Sequence, residues 1–119
     1  MVIAIVDDDG AVREGMKLLM RSLGYHASTF GSADEFLNSE QVDDTSFLIT
    51  DVQMPGLSGL DLQDRLVAEG HRIPIVFITA YSDENVRARA IKAGAVAFLT
   101  KPVNADHLVG YLDKALKAA

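Results

Sequence analysis

Five short apolar runs alternate with amphipathic stretches, and this alternation constrains the fold more than any other feature of the chain. The runs cover residues 2–6, 25–30, 47–49, 75–78 and 96–99. All but the second are nearly continuous and rich in Val, Ile, Leu or Phe, as expected for strands covered on both faces. The second run is more polar, which is typical of a strand at the edge of a sheet.

Each run is followed by a stretch with the pattern of an amphipathic helix. Apolar residues recur three or four positions apart, as along one helix face, for example at Leu108, Leu112 and Leu116. Two serine–acid pairs resemble capping boxes, and glycines follow two of the patterns as C-terminal caps. The predicted helix-end residues are Gly24, Ser32 with Glu35, Ser58 with Asp61, Asp83, Gly94 and Asn104.

Strand and helix therefore alternate five times along the chain. This order predicts an α/β fold with a parallel sheet, right-handed crossovers and helices on both faces. A polar second strand at the edge favours the strand order 2-1-3-4-5, that is, a flavodoxin-like (βα)5 three-layer sandwich. The length predicts one domain, residues 1–119.

Charge and cysteine content exclude several classes of function. Asp plus Glu number 17 against 11 Lys plus Arg, a net charge of −6, so we expect no direct contact with nucleic acid. The absence of Cys excludes disulfides, thiol catalysis and thiolate metal sites. The apolar start is too short for a signal sequence or a membrane span. We therefore expect a cytoplasmic protein without membrane contact.

Four of the five predicted strands end in residues that can take part in chemistry. In chain order these residues are Asp7, Asp8 and Asp9, then Asp51, then Thr79, then Lys101. The carboxyl ends of parallel strands lie at one edge of the sheet, so these groups are expected to converge on one crevice. Clustered carboxylates repel one another unless a cation lies between them. An open set of carboxylates without Cys or a His cluster favours Mg²⁺ over Zn²⁺.

These groups suit phosphoryl transfer. A carboxylate such as Asp51 can act as a nucleophile and form an aspartyl phosphate. Mg²⁺, the ammonium of Lys101 and the hydroxyl of Thr79 can stabilise the phosphoryl oxygens. Each of these side chains alone could be an ordinary turn or surface residue, and Asp9 is better interpreted as a helix cap. The hypothesis of a functional site rests on the four strand ends together.

Four segments resemble the motifs of response-regulator receiver domains, and the match runs from Val2 to about Leu116. The segments are VDDD at 6–9, DVQMPGLSG at 51–59, FITA at 77–80 and KP at 101–102. Together they are highly specific. FITA and the segment AGAVAFL at 93–99 are most similar to receivers of regulators that carry a C-terminal helix-turn-helix output domain.

The resemblance implies how the phosphoryl group and the metal would be bound. Asp51 would be the phosphoacceptor. Asp8 would bind Mg²⁺ directly, and Asp7 would bind it largely through a water molecule. The backbone carbonyl of Gln53 would complete the metal site.

The resemblance also implies a switch. Thr79 would form a hydrogen bond with the phosphoryl group, and Lys101 would form an ion pair with it. Phe98 occupies the position of the aromatic switch residue. The Lys101–Pro102 peptide bond is expected to be cis.

The implied partners are those of a bacterial two-component system. A sensor histidine kinase would donate the phosphoryl group, and the domain would catalyse only its own phosphorylation and dephosphorylation, so it would not be an enzyme acting on other substrates. The fourth helix, fifth strand and fifth helix would then signal to an output domain or a partner protein, with a homodimer as one option. Regulation of transcription by an output domain beyond these residues is the expected result, with a stand-alone receiver as the alternative.

Three other functions are alternatives. A phosphatase or dehalogenase with an Asp nucleophile would need a cap or a substrate pocket, and a phosphatase would also need an acid–base aspartate at position 53, where Gln53 stands. A flavin-binding module would need a glycine- and hydroxyl-rich loop where the chain has residues 7–9. A receiver that is not phosphorylated would lack part of the residue set. Surface roles are expected for His26, His71, His107, Arg87, Arg89 and Lys92.

Overall fold

The computed structural model describes residues 2–117, in which five parallel strands lie between two layers of helices. The sheet order is β2-β1-β3-β4-β5, which confirms the predicted fold. The ends of the predicted domain, residues 1, 118 and 119, lie outside the described residues. The elements are β1 (Val2–Val6), α1 (Gly10–Ser22), β2 (His26–Phe30), α2 (Ala33–Leu37), β3 (Thr45–Asp51), α3 (Gly59–Ala68), β4 (Ile75–Thr79), α4 (Glu84–Lys92), β5 (Ala97–Thr100) and α5 (Ala105–Lys117).

The apolar runs form two core layers because alternate side chains of each strand point to opposite faces of the sheet. Ile3 and Ile5 pack with residues of α1 and α5, whereas Ala4 and Val6 pack with residues of α2, α3 and α4. β2 is an edge strand, and only its last residue, Phe30, is buried. Among residues 2–117, no helix is long and apolar enough to cross a membrane.

The predicted helix caps are largely confirmed. Ser58 and Asp61 form the complete capping box of α3, with both hydrogen bonds at 3.1 Å. The hydroxyl of Ser32 accepts from the Glu35 N–H at the start of α2. The Glu35 carboxylate, however, accepts from the N–H of Gly31, one residue earlier than the capping-box pattern predicts. The second predicted box is therefore only half formed.

Strand β3 is longer than predicted and extends into the crevice. It includes Thr45 and ends at Asp51, whereas the apolar run covers residues 47–49. Strand length follows backbone pairing, and Thr45 pairs with Val2 of β1 although its side chain is polar. As a result, Asp51 belongs to the rigid sheet rather than to the loop that follows it.

The first residue of α3 packs directly against the end of β3. The N–H of Gly59 donates to the carbonyl of Val52 at 2.8 Å. A Cβ atom at position 59 would overlap the carbonyl oxygen of Asp51 and would lie 3.1 Å from the ring of Phe77. Only glycine allows this approach, so Gly59 helps to fix the backbone that carries Asp51.

We expect Gly59→Ala to lower the free energy of unfolding by about 2–3 kcal/mol, because the new methyl group displaces backbone rather than a flexible side chain. The matched control is Gly15→Ala in α1, where a Cβ atom meets nothing within 4 Å. That change should stabilise the protein by about 1 kcal/mol through helix propensity. Urea unfolding of both variants measures the difference, and equal stabilities would contradict the proposed close packing.

Candidate functional site

The four predicted strand ends converge on one crevice. Asp7 follows β1 directly, Asp51 and Thr79 are the last residues of β3 and β4, and Lys101 follows β5. The parallel register aligns these ends, since Asp51 is level with Ile78 and Thr79 with Thr100. Asp7, Asp51 and Thr79 are buried. Polar groups at this depth are costly unless they are paired.

Lys101 joins two of the carboxylates. Its Nζ lies 2.9 Å from Asp51 Oδ2 and 3.1 Å from Asp7 Oδ2. Burial lowers the pKa of Lys101, but its contacts with Asp51 and Asp7 and their charges raise it more, so that the net pKa is raised. Lys101 is therefore an ammonium ion shared by two acidic groups.

Asp7 is fully buried and retains an oxygen without a directed hydrogen bond. Its Oδ1 accepts from the N–H of Asp9 at 2.9 Å. Its Oδ2 is close to the Lys101 ammonium but outside hydrogen-bond geometry. Burial raises the pKa of Asp7, although the Asp9 N–H and Lys101 partly oppose this, and the charge of Asp51 raises it further. More positive charge near Asp7 would stabilise the carboxylate.

The donor set fits a hard divalent cation. Asp7, Asp8 and Asp51 each offer an oxygen, and these oxygens lie within 4.8 Å of one another. Within residues 2–117, no other group of three acidic, His or Cys side chains has this spacing. Oxygen donors in an open site are the ligands that Mg²⁺ prefers, and the buried Oδ2 of Asp7 has no hydrogen bond that would compete with a cation. Gln53 lies nearby, since its N–H donates to Asp51 Oδ1 at 3.3 Å.

Thr79 lies in the crevice, but its hydroxyl is bonded to the loop after β4. It donates to the carbonyl of Tyr81 at 3.0 Å and accepts from the N–H of Tyr81 at 3.3 Å. The hydroxyl is thus oriented by the loop that leads to α4.

Phe98 and Pro102 lie on either side of the end of β5. Phe98 is half-buried on β5, with its ring centroid 6.2 Å from that of Phe77. The Lys101–Pro102 peptide bond is cis.

Arg13 is a residue of the site that the sequence reasoning missed. It lies on α1, and its Nη1 donates to the backbone carbonyl of Asp7 at 2.6 Å. The signal available in the sequence was an arginine one turn into the helix that Asp9 caps. That position places a long cationic side chain close to the acidic turn.

Comparisons with known proteins agree with this geometry. The family model described as the response regulator receiver domain matches residues 3–113. Response regulator protein TmoT of Ectopseudomonas mendocina is 47% identical over 118 residues, which are 99% of this chain and 54% of TmoT. Transcriptional regulatory protein FixJ of Bradyrhizobium diazoefficiens is 34% identical over 117 residues, which are 98% of this chain and 57% of FixJ.

A solved structure of response regulator StyR superimposes with a TM-score of 0.90 at 42% identity, covering 98% of this chain and 59% of StyR. The chain therefore spans about half the length of the curated relatives that it matches.

We expect Asp7→Asn to raise the thermal midpoint of the protein by a few degrees when divalent ions are chelated. Because the pKa of Asp7 is raised in the folded protein, its protonated carboxyl stabilises the fold at pH values below the usual pKa of an Asp side chain. This contribution to stability is lost as the pH rises through the raised pKa. At neutral pH the buried charge is therefore unfavourable, and the amide removes it. Scanning calorimetry with chelator measures the change.

The matched control is Asp9→Asn. Asp9 is exposed, and Asn is an equally good N-cap, so its midpoint should stay near that of the wild type. A lower midpoint for Asp7→Asn would show that the ion pair with Lys101 outweighs the burial of the charge.

Proposed function

The chain belongs to the response regulator receiver domain family, and we propose that it is the phosphoacceptor domain of a two-component system, phosphorylated at Asp51. The observation that supports this most directly is the environment of Asp51. Its buried carboxylate contacts the ammonium of Lys101 and lies beside two further carboxylates at the carboxyl edge of the sheet. A sensor histidine kinase in the cytoplasm would be the phosphodonor.

In the proposed reaction, a carboxylate oxygen of Asp51 attacks the phosphorus atom of a phosphohistidine. The new O–P bond forms as the P–N bond breaks, and the electron pair returns to the imidazole nitrogen, which takes up a proton. Lys101 neutralises charge on the phosphoryl oxygens. Mg²⁺ held by Asp7, Asp8, Asp51 and the Gln53 carbonyl would supply further charge neutralisation. The phosphohistidine is the donor and Asp51 is the acceptor, so in this proposal the domain catalyses only its own modification.

The proposed switch begins at Thr79. Its hydroxyl can donate to a phosphoryl oxygen only if it gives up its hydrogen bond to the Tyr81 carbonyl, because a hydroxyl has one proton. In the proposed switch, that exchange rearranges the loop before α4, and Phe98 moves into the space that Thr79 vacates. The surface formed by α4, β5 and α5 would then present the signal. Because FixJ is named a transcriptional regulatory protein, we propose transcription as the process controlled, through an output domain beyond these residues.

Helix α4 is well suited to move because few contacts hold it. Ala90 is its only buried residue. Two polar contacts connect it to α3: Arg89 Nη2 lies 2.6 Å from Asp64 Oδ2, and Gln63 Nε2 donates to the carbonyl of Ala90 at 3.1 Å. Arg89 is therefore not only a solvated surface charge, as its position in the sequence suggested. A helix with so little buried apolar surface can shift at low cost.

Asp51→Asn should abolish phosphorylation by a small phosphodonor. We expect wild-type protein with Mg²⁺ and phosphoramidate to gain one alkali-labile phosphoryl group, observed by intact mass, and Asp51→Asn to gain none. Asp44→Asn is the control, since Asp44 is an exposed acid outside the crevice, and it should be modified like the wild type. An unmodified wild type, or an unchanged adduct on Asp51→Asn, would disprove the proposed function.

Breaking the contact between α3 and α4 should favour the phosphorylated conformation. We expect Arg89→Ala to tighten binding of beryllofluoride, a phosphoryl mimic, by about two- to fivefold, the range that an exposed ion pair can supply. Arg87→Ala is the control, because Arg87 pairs with Glu84 within α4 and does not connect the helix to α3. Equal affinities for the two variants, measured by titration calorimetry, would contradict the proposed role of the contact.

A further inference from the structure

We propose that Arg13 is a positioning residue for the divalent cation, an inference that rests on the function proposed above. Arg13 Nη1 donates to the carbonyl oxygen of Asp7 at 2.6 Å. That carbonyl belongs to the peptide group that joins Asp7 to Asp8. One charge-assisted hydrogen bond therefore restrains the peptide plane between two of the proposed metal ligands.

Asp8 depends on this restraint more than Asp7 does. Asp7 is buried, and its Oδ1 accepts from the N–H of Asp9. Asp8 is exposed, and within the part of the chain that the structure describes its carboxylate is in no ion pair and no hydrogen bond with the protein. Its location is therefore set by the backbone on either side. A ligand that must be ordered on binding gives a weaker site than one already in place.

The surroundings of Arg13 are consistent with this role. Its side chain passes two glycines: a Cβ atom on Gly10 would lie 3.4 Å from Nη2, and one on Gly31 would lie 3.6 Å from Nη1. The missing side chains leave room for the guanidinium above the acidic turn. Within residues 2–117, no carboxylate lies in ion-pair range of Arg13, so a salt bridge does not account for its position.

Charge and restraint have opposite effects on metal affinity, and this separates them experimentally. A nearby positive charge repels a divalent cation, whereas a fixed peptide plane favours its binding. Arg13→Lys keeps the charge but loses the planar donor, and Arg13→Met loses both. If Arg13 acted through its charge alone, the Lys variant would bind Mg²⁺ like the wild type and the Met variant more tightly.

The test is a Mg²⁺ titration followed by the backbone amide resonances of residues 7–9, which report binding without any phosphorylation. We expect Arg13→Lys to bind Mg²⁺ about tenfold more weakly than the wild type, as for other residues that support a metal ligand. Arg13→Met should also bind more weakly than the wild type, but by less, because it loses a repelling charge as well. Arg21→Lys is the control, since Arg21 is exposed in the last turn of the same helix. It should bind like the wild type.

Phosphorylation by phosphoramidate adds a second readout. A positioning role predicts a raised half-saturating Mg²⁺ concentration with the rate at saturating Mg²⁺ retained, whereas a merely structural role lowers stability and leaves both unchanged. If both variants bind Mg²⁺ as tightly as the wild type, the inference about Arg13 is overturned. The proposed function still holds in that case, provided that the wild-type protein forms the phosphoryl adduct. A wild type that neither binds Mg²⁺ nor forms an adduct would overturn both.

Discussion

The ion pairs of Lys101 with Asp7 and Asp51 are the interaction on which the site depends. Two carboxylates buried side by side would repel each other strongly, and each alone would be costly to remove from water. The single ammonium of Lys101 lies within 3.1 Å of both, but it can neutralise only one of them. With Asp8 added, negative charge remains in excess. That excess explains why the crevice suits a hard divalent cation.

The fold holds these charges in place by rigid backbone rather than by side-chain packing. Asp51 ends a central strand, and the close approach of Gly59 fixes the backbone behind it. Asp7 follows another central strand, and its N–H donates to the carbonyl of Phe30 in β2. Lys101 follows β5, the edge strand at the other end of the sheet from β2. The acidic groups therefore cannot move apart to relieve their repulsion, and the site must be satisfied by cations.

The sequence predicted which residues meet because a parallel sheet leaves little freedom in where its strands end. It did not predict contacts that depend on side-chain reach. Arg13 bends back to a backbone carbonyl, Glu35 caps one residue earlier than its motif suggests, and Arg89 pairs with Asp64 of α3 while staying exposed. Long side chains have many rotamers, and the surrounding fold selects among them. The hydroxyl of Thr79 is a similar case, since the path of a loop orients it.

The site lies close to α4, so a signal from the phosphorylation site would not need to pass through many intervening residues to reach this helix. The hydroxyl of Thr79 is bonded to the backbone of Tyr81, and α4 begins at Glu84, three residues further along the chain. In the proposed switch, a phosphoryl group on Asp51 brings acceptor oxygens and a net gain of roughly one negative charge into a crevice already rich in negative charge, since the carboxylate charge of Asp51 is lost when the acyl phosphate forms. Competition for the few available donors is then unavoidable. In the proposed switch, the donor withdrawn from Tyr81 releases the loop that immediately precedes α4, a helix with Ala90 as its one buried residue.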